Sequence, residues 1–471
     1  MALISFGLVM LALTIMSSLS ATASRPGVES RVTQRGIDFL RDVGMKKLKE
    51  KIYSMHIPSQ SGKAHGVSYE VWNLKVTSFN ITYPNIQLEA GSGFNIRLRG
   101  IRVTLTGDYH YSVFVISHSG RLDVNIDSMS ASFTIKVREA YGRPTVESSL
   151  DSCMFDAGNV AVHLNEGKPS RDDKASRALR DALNGRACGE IVNGINEIME
   201  EKLSQLKVRY PIRQILDLDY SIVALPFFST NHMDISHKGE VYRIHSHEEA
   251  PLRIPEIQPD TDVSRMAFVW MTDFVANSAG YVLHTYGYLQ HNVTEKDIPA
   301  GSKISLNTSG FPISTVFPQV TKMFPGKMMQ INVKSTIPPT MNTTNEKATI
   351  AVKGKIDAYV TQPNKSLTYL FTLSSQISLS FKFGVKSGNV TWVSELVSSS
   401  VKLVKSAIKD FKIDILKKML PIALKTQVIP MLNKKGAIGM AIPSYNGVTA
   451  VNTTVQHASG HLKIGTDFAT L

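Results

Sequence analysis

Few residues able to do chemistry stand at spacings that would let them act together. The densest titratable cluster is HSHEE, His245 to Glu249. Imidazole and carboxylate are the right ligand types for zinc, but a metal site needs a fixed scaffold. This cluster sits beside Pro251, Pro255 and Pro259 and reads as a solvated loop, so no metal is expected. His110 and His118 flank a strand-like stretch without an identifiable partner. G-x-S-x-G, H-E-x-x-H, P-loop and C-x-x-C motifs do not occur, no catalytic residue is nominated, and the chain is not read as an enzyme. Cys153 and Cys188 are the only cysteines. In an exported chain such a pair suggests one disulfide rather than thiol chemistry. What remains is cationic and apolar, the chemistry of binding.

The charge is unevenly spread. The formal net charge is +13, of which residues 1–250 carry about +2 and residues 251–471 about +11. Nine lysines fall between Lys402 and Lys435, against Asp410 and Asp414. A second basic stretch, RVTQRGIDFLRDVGMKKLKEKI at residues 31–52, has apolar residues at helical spacing and predicts an amphipathic helix. The first two dozen residues read as a signal peptide, an apolar run followed by Ala21-Thr22-Ala23, with cleavage expected after Ala23 or Ser24. A basic, exported chain fits acidic partners outside the cell, such as anionic lipid or polyanionic glycan, and not nucleic acid. Seven N-x-S/T sequons, at Asn80, Asn292, Asn307, Asn342, Asn364, Asn389 and Asn452, are candidate glycosylation sites.

The elements that must carry these groups follow from periodicity. FNIRLRGIRVTLTG and RLDVNIDSMSASFTIKV alternate with a period of two, the second with a one-residue shift between Ile126 and Met129. Residues 172–206 then change to a spacing of three and four, predicting a helix of about 30 residues, ~45 Å long. After PFFSTNHMDISHKGEVY and a Pro-rich linker the plan repeats: a strand and helix from Met266, long alternating strands, and a helix-rich block placed at roughly 394–435. The expected organisation is a signal peptide at 1–23, one domain at 24–243, a linker at 244–260 and a second domain at 261–471.

With these parts in order, the chain resembles the family of bactericidal/permeability-increasing and lipopolysaccharide-binding proteins. The resemblance rests on RPGVESRVTQRGIDF, the pair Cys153 and Cys188 with a long helix around the second, PFFSTNHMDISHKGEVY, DFVANSAGYVLH and KMFPGKMMQINVKSTIPPTM. It implies an α+β fold: an elongated boomerang of two similar domains, each a twisted antiparallel β-barrel wrapped around a long α-helix, joined by a central sheet. It further implies an apolar pocket in each barrel holding phospholipid, with no other cofactor. Ile37, Leu40, Val43, Leu48 and Ile52 would then pack inside the first barrel, joined by Ile191 and Ile195 of the long helix. The expected partners are lipopolysaccharide through its lipid A, phospholipid and the bacterial outer membrane surface, met by a monomeric secreted protein.

The chain departs from that family at its tip. The hairpin TGDYHYSVFVISHSG, residues 106–120, contains no Lys or Arg, and the neighbouring loop offers only Lys63 and His65. Contacts to anionic lipid are therefore expected from Arg41, Lys46, Lys47, Lys63, Arg97, Arg99 and Arg102. Tyr109, Tyr111 and Phe114 are expected as tip aromatics entering a lipid interface. The readings kept open are an antibacterial lipopolysaccharide binder, a phospholipid carrier, and an adaptor that presents lipopolysaccharide without killing.

Overall fold

The computed structural model describes residues 25–64, 67–113, 115–165, 169–212, 214–298, 305–442, 444 and 447–471. The expected signal peptide, His65 and Phe114 lie outside them. The chain starts with strand β1 (Val28–Thr33), which runs directly into helix α1 (Gln34–Ser54). Thr33 caps α1 by accepting a hydrogen bond from the Gly36 amide. Gly36 is required by close approach: a Cβ there would stand 2.5 Å from the Met266 carbonyl oxygen. Residues 31–33 are thus strand, not the first turn of the helix.

Three long strands follow, β2 (Val67–Glu89), β3 (Gly93–Val113) and β4 (Ile116–Ala140), of 23, 21 and 25 residues. They form an antiparallel sheet extended by residues 60–64 at one edge and by 143–147, 154–156 and 159–164 against β4 at the other. Leu122, Val124, Ile126, Ala131 and Phe133 of β4 are buried. The shift between these two runs falls at Ser128, whose φ is +62°. Gly100 on β3, at φ +64°, sits in the matching irregularity, where the β3–β4 register slips on both sides of Ile101. Helix α2 (Pro169–Ser204), 36 residues long, packs on the 143–164 edge, whereas α1 packs chiefly on β2.

A six-stranded antiparallel sheet joins the halves. Its order is 227–228, β5 (His232–His237), β1, β6 (Ala267–Thr272), β11 (His461–Thr470) and β10 (Val448–Ala458). Arg31, 4% exposed, forms a two-pronged bond to Asp234 at 2.7 and 2.8 Å and donates to the carbonyls of Asp260 and Asp262. Lys463 pairs with the carboxylates of those same two residues at 2.6 and 2.8 Å. The Pro-rich segment, without helix or strand from 247 to 263, is therefore pinned to the central sheet.

In the second half, helix α3 (Asp273–Thr285) follows β6 directly. The long strands are β7 (Ala348–Thr361), β8 (Leu367–Lys386) and β9 (Asn389–Ser406). The helical block expected from 394 starts only with α4 (Ile413–Ala423) and continues through a π-helical turn into α5 (Ile429–Ile438). β-branched residues and the inward pair Leu396, half-buried, and Val401, buried, make 389–406 a strand, with register slips that obscure its period. The fold is α+β with curled antiparallel sheets, as the resemblance implies. Among the described residues no helix is long and apolar enough to cross a membrane.

Candidate functional site

The interior of the first half is divided. One buried cluster joins Ile37 of α1 to Leu88 and Phe228 near the central sheet. A second joins Tyr109, Leu122, Val124, Ile126 and Val162, packed by Leu179 and Leu183 of α2. Between them α1 is not covered. Leu40 is 42% exposed and Leu48 37%, followed by Tyr53 and Met55 at 45% and 52%. Of the apolar set expected to pack inside, only Ile37 is buried; Val43 and Ile52 are half-buried. The burial expected of Leu40 and Leu48 is thus corrected. The cause is that α1 lies on β2 while α2 lies at the opposite edge of the sheet. On α2, Ile191 and Ile195 are half-buried, and Val192, beside the stripe that the spacing suggests, is buried at 5% exposure.

The cations differ in exposure and in the carboxylates beside them. Arg41 is bound to Asp38 at 3.0 Å and Asp42 at 2.8 Å. Arg102 is bound to Asp127 at 2.9 Å, a hydrogen bond that holds the Asp127 carboxyl below its usual range. Both arginines are engaged, which weakens their expected role toward lipid phosphates. Lys46, Lys47, Lys49 and Lys51 are exposed on α1, the helix that carries Leu40 and Leu48, and Lys63 is exposed on the 60–64 strand. Arg97 and Arg99 are exposed on the outer face of β3 in an open cleft of about 680 Å³. The inner face of the same strand carries Ile96 and Leu98. The two arginines therefore point away from the apolar interior.

The tip differs from expectation. Tyr109 is 4% exposed and stacks on half-buried Tyr111 at 5.9 Å, with His118 against Tyr111 at 5.2 Å. Tyr109 is a core residue, because its parity along β3 matches the inward side that meets Leu122 and Val124. Among the described residues of this hairpin the exposed apolar groups are Val115, 98% exposed, and Ile116, 59%. The sequence signal for them was present as VFVI at the turn, but aromatic type drew attention to the tyrosines.

Cys153 and Cys188 are bridged, with a Cα–Cα distance of 5.7 Å, tying α2 to the segment after the 143–147 strand. The cluster at 245–249 is dispersed among other partners: Glu249 with Lys238 at 2.6 Å, Glu248 with Tyr286, and His247 with Arg209. Asn80, Asn292, Asn342, Asn364 and Asn452 are exposed, whereas Asn307 and Asn389 are half-buried. The Asn389 amide donates to the Ile438 carbonyl at 2.9 Å. The lysines between 402 and 435 are all exposed, interleaved with exposed Val404, Ile422 and Met431.

Comparison with known proteins covers almost the whole chain. Residues 36–206 match the family model "LBP / BPI / CETP family, N-terminal domain", and residues 211–470 match the corresponding C-terminal domain. A bactericidal permeability-increasing protein of Sebastes schlegelii is 28% identical over 97% of this chain and 98% of its own length. The lipopolysaccharide-binding protein of Homo sapiens is 23% identical over 97% of this chain and 96% of its own. A crystal structure of lipopolysaccharide binding protein superposes with a TM-score of 0.58 at 20% identity, covering 95% of this chain and 99% of that one, which supports the fold.

Proposed function

The chain belongs to the LBP/BPI/CETP family, and from that premise we propose that it is a secreted, monomeric lipid-binding protein of innate defence that binds lipopolysaccharide through lipid A. The observation that carries this reading is the exposure of Leu40, Leu48 and Tyr53 on α1, with Met55 just past its end, on the helix that also presents Lys46, Lys47, Lys49 and Lys51. Lipid A needs both surfaces at once, apolar area for its acyl chains and cations for its phosphates. Each methylene removed from water contributes about 0.8 kcal/mol, and each lysine near an anionic surface about 1 kcal/mol, screened over roughly 8 Å at physiological salt. Phospholipid would occupy the same interior by the same chain contacts. Val115 and Ile116 would enter the outer membrane surface first, giving a route to permeabilisation.

The Lys- and Arg-free hairpin at 106–120 favours a second reading, an extracellular phospholipid carrier. Binding to vesicles containing lipid A, against phosphatidylcholine vesicles at low and high salt, separates the two. Preferential binding to lipid A that weakens with salt supports the first reading. Equal, salt-insensitive binding to both vesicle types supports the second. Permeabilisation of intact Gram-negative bacteria then separates a killing protein from an adaptor that only presents lipopolysaccharide.

A further inference from the structure

The central sheet meets each half of the molecule through a histidine, and the two stand at opposite ends of one row. His237 on β5, Val28 on β1, Met271 on β6, Leu462 on β11 and His457 on β10 lie opposite one another across five strands and share a face of the sheet. At the first-half end, Nδ1 of His237 donates to the Tyr220 carbonyl at 2.9 Å, and the Ser30 hydroxyl stands 2.9 Å from Nε2. A second proton on that ring requires only that the hydroxyl turn to accept it. The other end is different. β7 stops at Ala348, opposite Phe381, which leaves the Phe383 amide of β8 beyond that ladder, and His457 Nε2 accepts its hydrogen bond at 3.1 Å. A backbone amide only donates, so this bond exists only while Nε2 carries no proton. Among the described residues it is the one hydrogen bond from β10 to the sheet of the second half, and the two rings pack at 6.0 Å.

We propose that His457 is an acid-released latch: its neutral form holds the end of β8 to the central sheet, and its protonation frees that end and opens an apolar seam to lipid acyl chains. Both ring nitrogens of an imidazolium are donors, so the charged form meets the Phe383 N–H donor to donor. Phe381 stacks on Phe383 at 6.4 Å, and Val455 and Ile464 lie on the His457 face of the central sheet. All four are half-buried, and separation exposes them together. The charged groups on the adjoining elements are Lys382 and Lys386 of β8, Glu346 and Lys347 of the turn whose Thr343 carbonyl accepts from the Gly460 amide, and His461 and Lys463 of β11. The last two lie on the opposite face, where Lys463 is bound to Asp260 and Asp262. Burial, and then the charge of Lys382, hold the His457 pKa below 6.5, so the latch is shut at neutral pH and opens in acid. The opening to acyl chains rests on the lipid reading above; the latch itself does not.

Hydrogen–deuterium exchange on the full chain, compared between pH 7.5 and pH 5 after correction for the intrinsic rate of each amide, reads the latch. Residues 381–385 are expected to lose tenfold or more of their protection in acid, while residues 370–373 keep theirs. His457→Gln, whose side-chain oxygen still accepts but takes no proton, should stay protected at both pH values. His457→Lys should be unprotected already at pH 7.5, and His237→Gln should respond to acid as the wild-type chain does. Unchanged protection of 381–385 in acid overturns the proposal, as does an acid response that persists in His457→Gln. Photocrosslinking with a diazirine-acyl phosphatidylcholine in the same two buffers reads the seam. Adducts at 381–385 and 451–457 are expected at pH 5, and neither at pH 7.5 nor in His457→Gln. Adducts in the first half alone at both pH values overturn the opening to lipid. Absence of adducts anywhere counts against the lipid reading, and the exchange result then decides the latch by itself.

Discussion

The two halves share a plan but fill their interiors differently. In the second half one continuous cluster runs from Leu306 and Val320 through Met329, Val360 and Leu370 to Val401 and Ile408, and α4 adds Ile415, Leu416 and Met419. In the first half the long sheet carries two separate buried clusters, with Leu40 and Leu48 of α1 left exposed, and a third cluster joins Leu216 and Val241 to Val282 of α3 where the halves meet. Both halves have long strands and long helices, so the difference does not arise from secondary structure. It arises from where the helices lie. In the second half α4 and α5 both pack on β9, whereas in the first half α1 and α2 take opposite margins of the sheet. A core that is closed by protein stabilises the fold, and one that is left open reserves apolar surface for a ligand. The Cys153–Cys188 bridge lies in the open half, where packing contributes less.

The comparison can be broken at several points. The largest effect is expected at the joint common to both halves: Arg31→Ala leaves the half-buried Asp234 carboxylate and two carbonyls without this partner and should cost about 3–5 kcal/mol in urea unfolding. Replacing Cys153 and Cys188 with Ser should cost about 3–4 kcal/mol, given a sequence separation of 35. Proteolysis should show that loss in the first half before the second. Leu370→Ala, at a site 1% exposed, should cost about 2–5 kcal/mol. The matched change Leu40→Ala in the open half should cost no more than about 0.5 kcal/mol while lowering lipid uptake. Equal destabilisation by the two would erase the distinction.

The smallest effect is a pH dependence of the central sheet. His237 is held between the Ser30 hydroxyl and the Tyr220 carbonyl, and burial lowers its pKa from 6.5. The folded chain then binds fewer protons than the unfolded one, so this contribution is complete above about pH 6.5 and declines as the pH falls below it. A separate acid step belongs to Asp262. Partial burial opposes its ionisation, but the bonds from Lys463 and Ser264 hold its pKa down at about 2. The stability it supplies is present above pH 3.8 and is lost as the pH falls toward 2. Thermal scans from pH 8 to 2 should show both windows, and His237→Gln should shrink the upper one, to which His232, His457 and His461, also lowered by burial, contribute.

Much of the fold was legible in residue spacing. The parity shift between Ile126 and Met129 marked the bend at Ser128, and the change to a spacing of three and four marked α2. Residues 394–406 of β9 were misread as helical because register slips hide the period and because Lys402 and Lys405 run into the lysine-rich sequence that follows. The candidate site was legible only in part. Spacing located the apolar stripe of α1 but could not tell a packed face from an uncovered one, since that depends on where α2 docks. Charge counting found Arg41 and Arg102 but not Asp38, Asp42 and Asp127 beside them. Of the residues lining the cleft with Arg97 and Arg99, Tyr83 was missed because it stands on β2, where only the β2–β3 ladder sets it opposite Arg99, and Ser128 and Ser130 because they lie on β4 at or beyond the shift.

The most direct test of the open interior is photocrosslinking with lipid A whose acyl chain carries a diazirine, followed by peptide mapping of the full chain. Adducts concentrated on residues 40–55 of α1, and reduced in Leu40→Ser/Leu48→Ser, are the predicted result. Adducts confined to residues 413–440, or unchanged in that variant, would contradict the account.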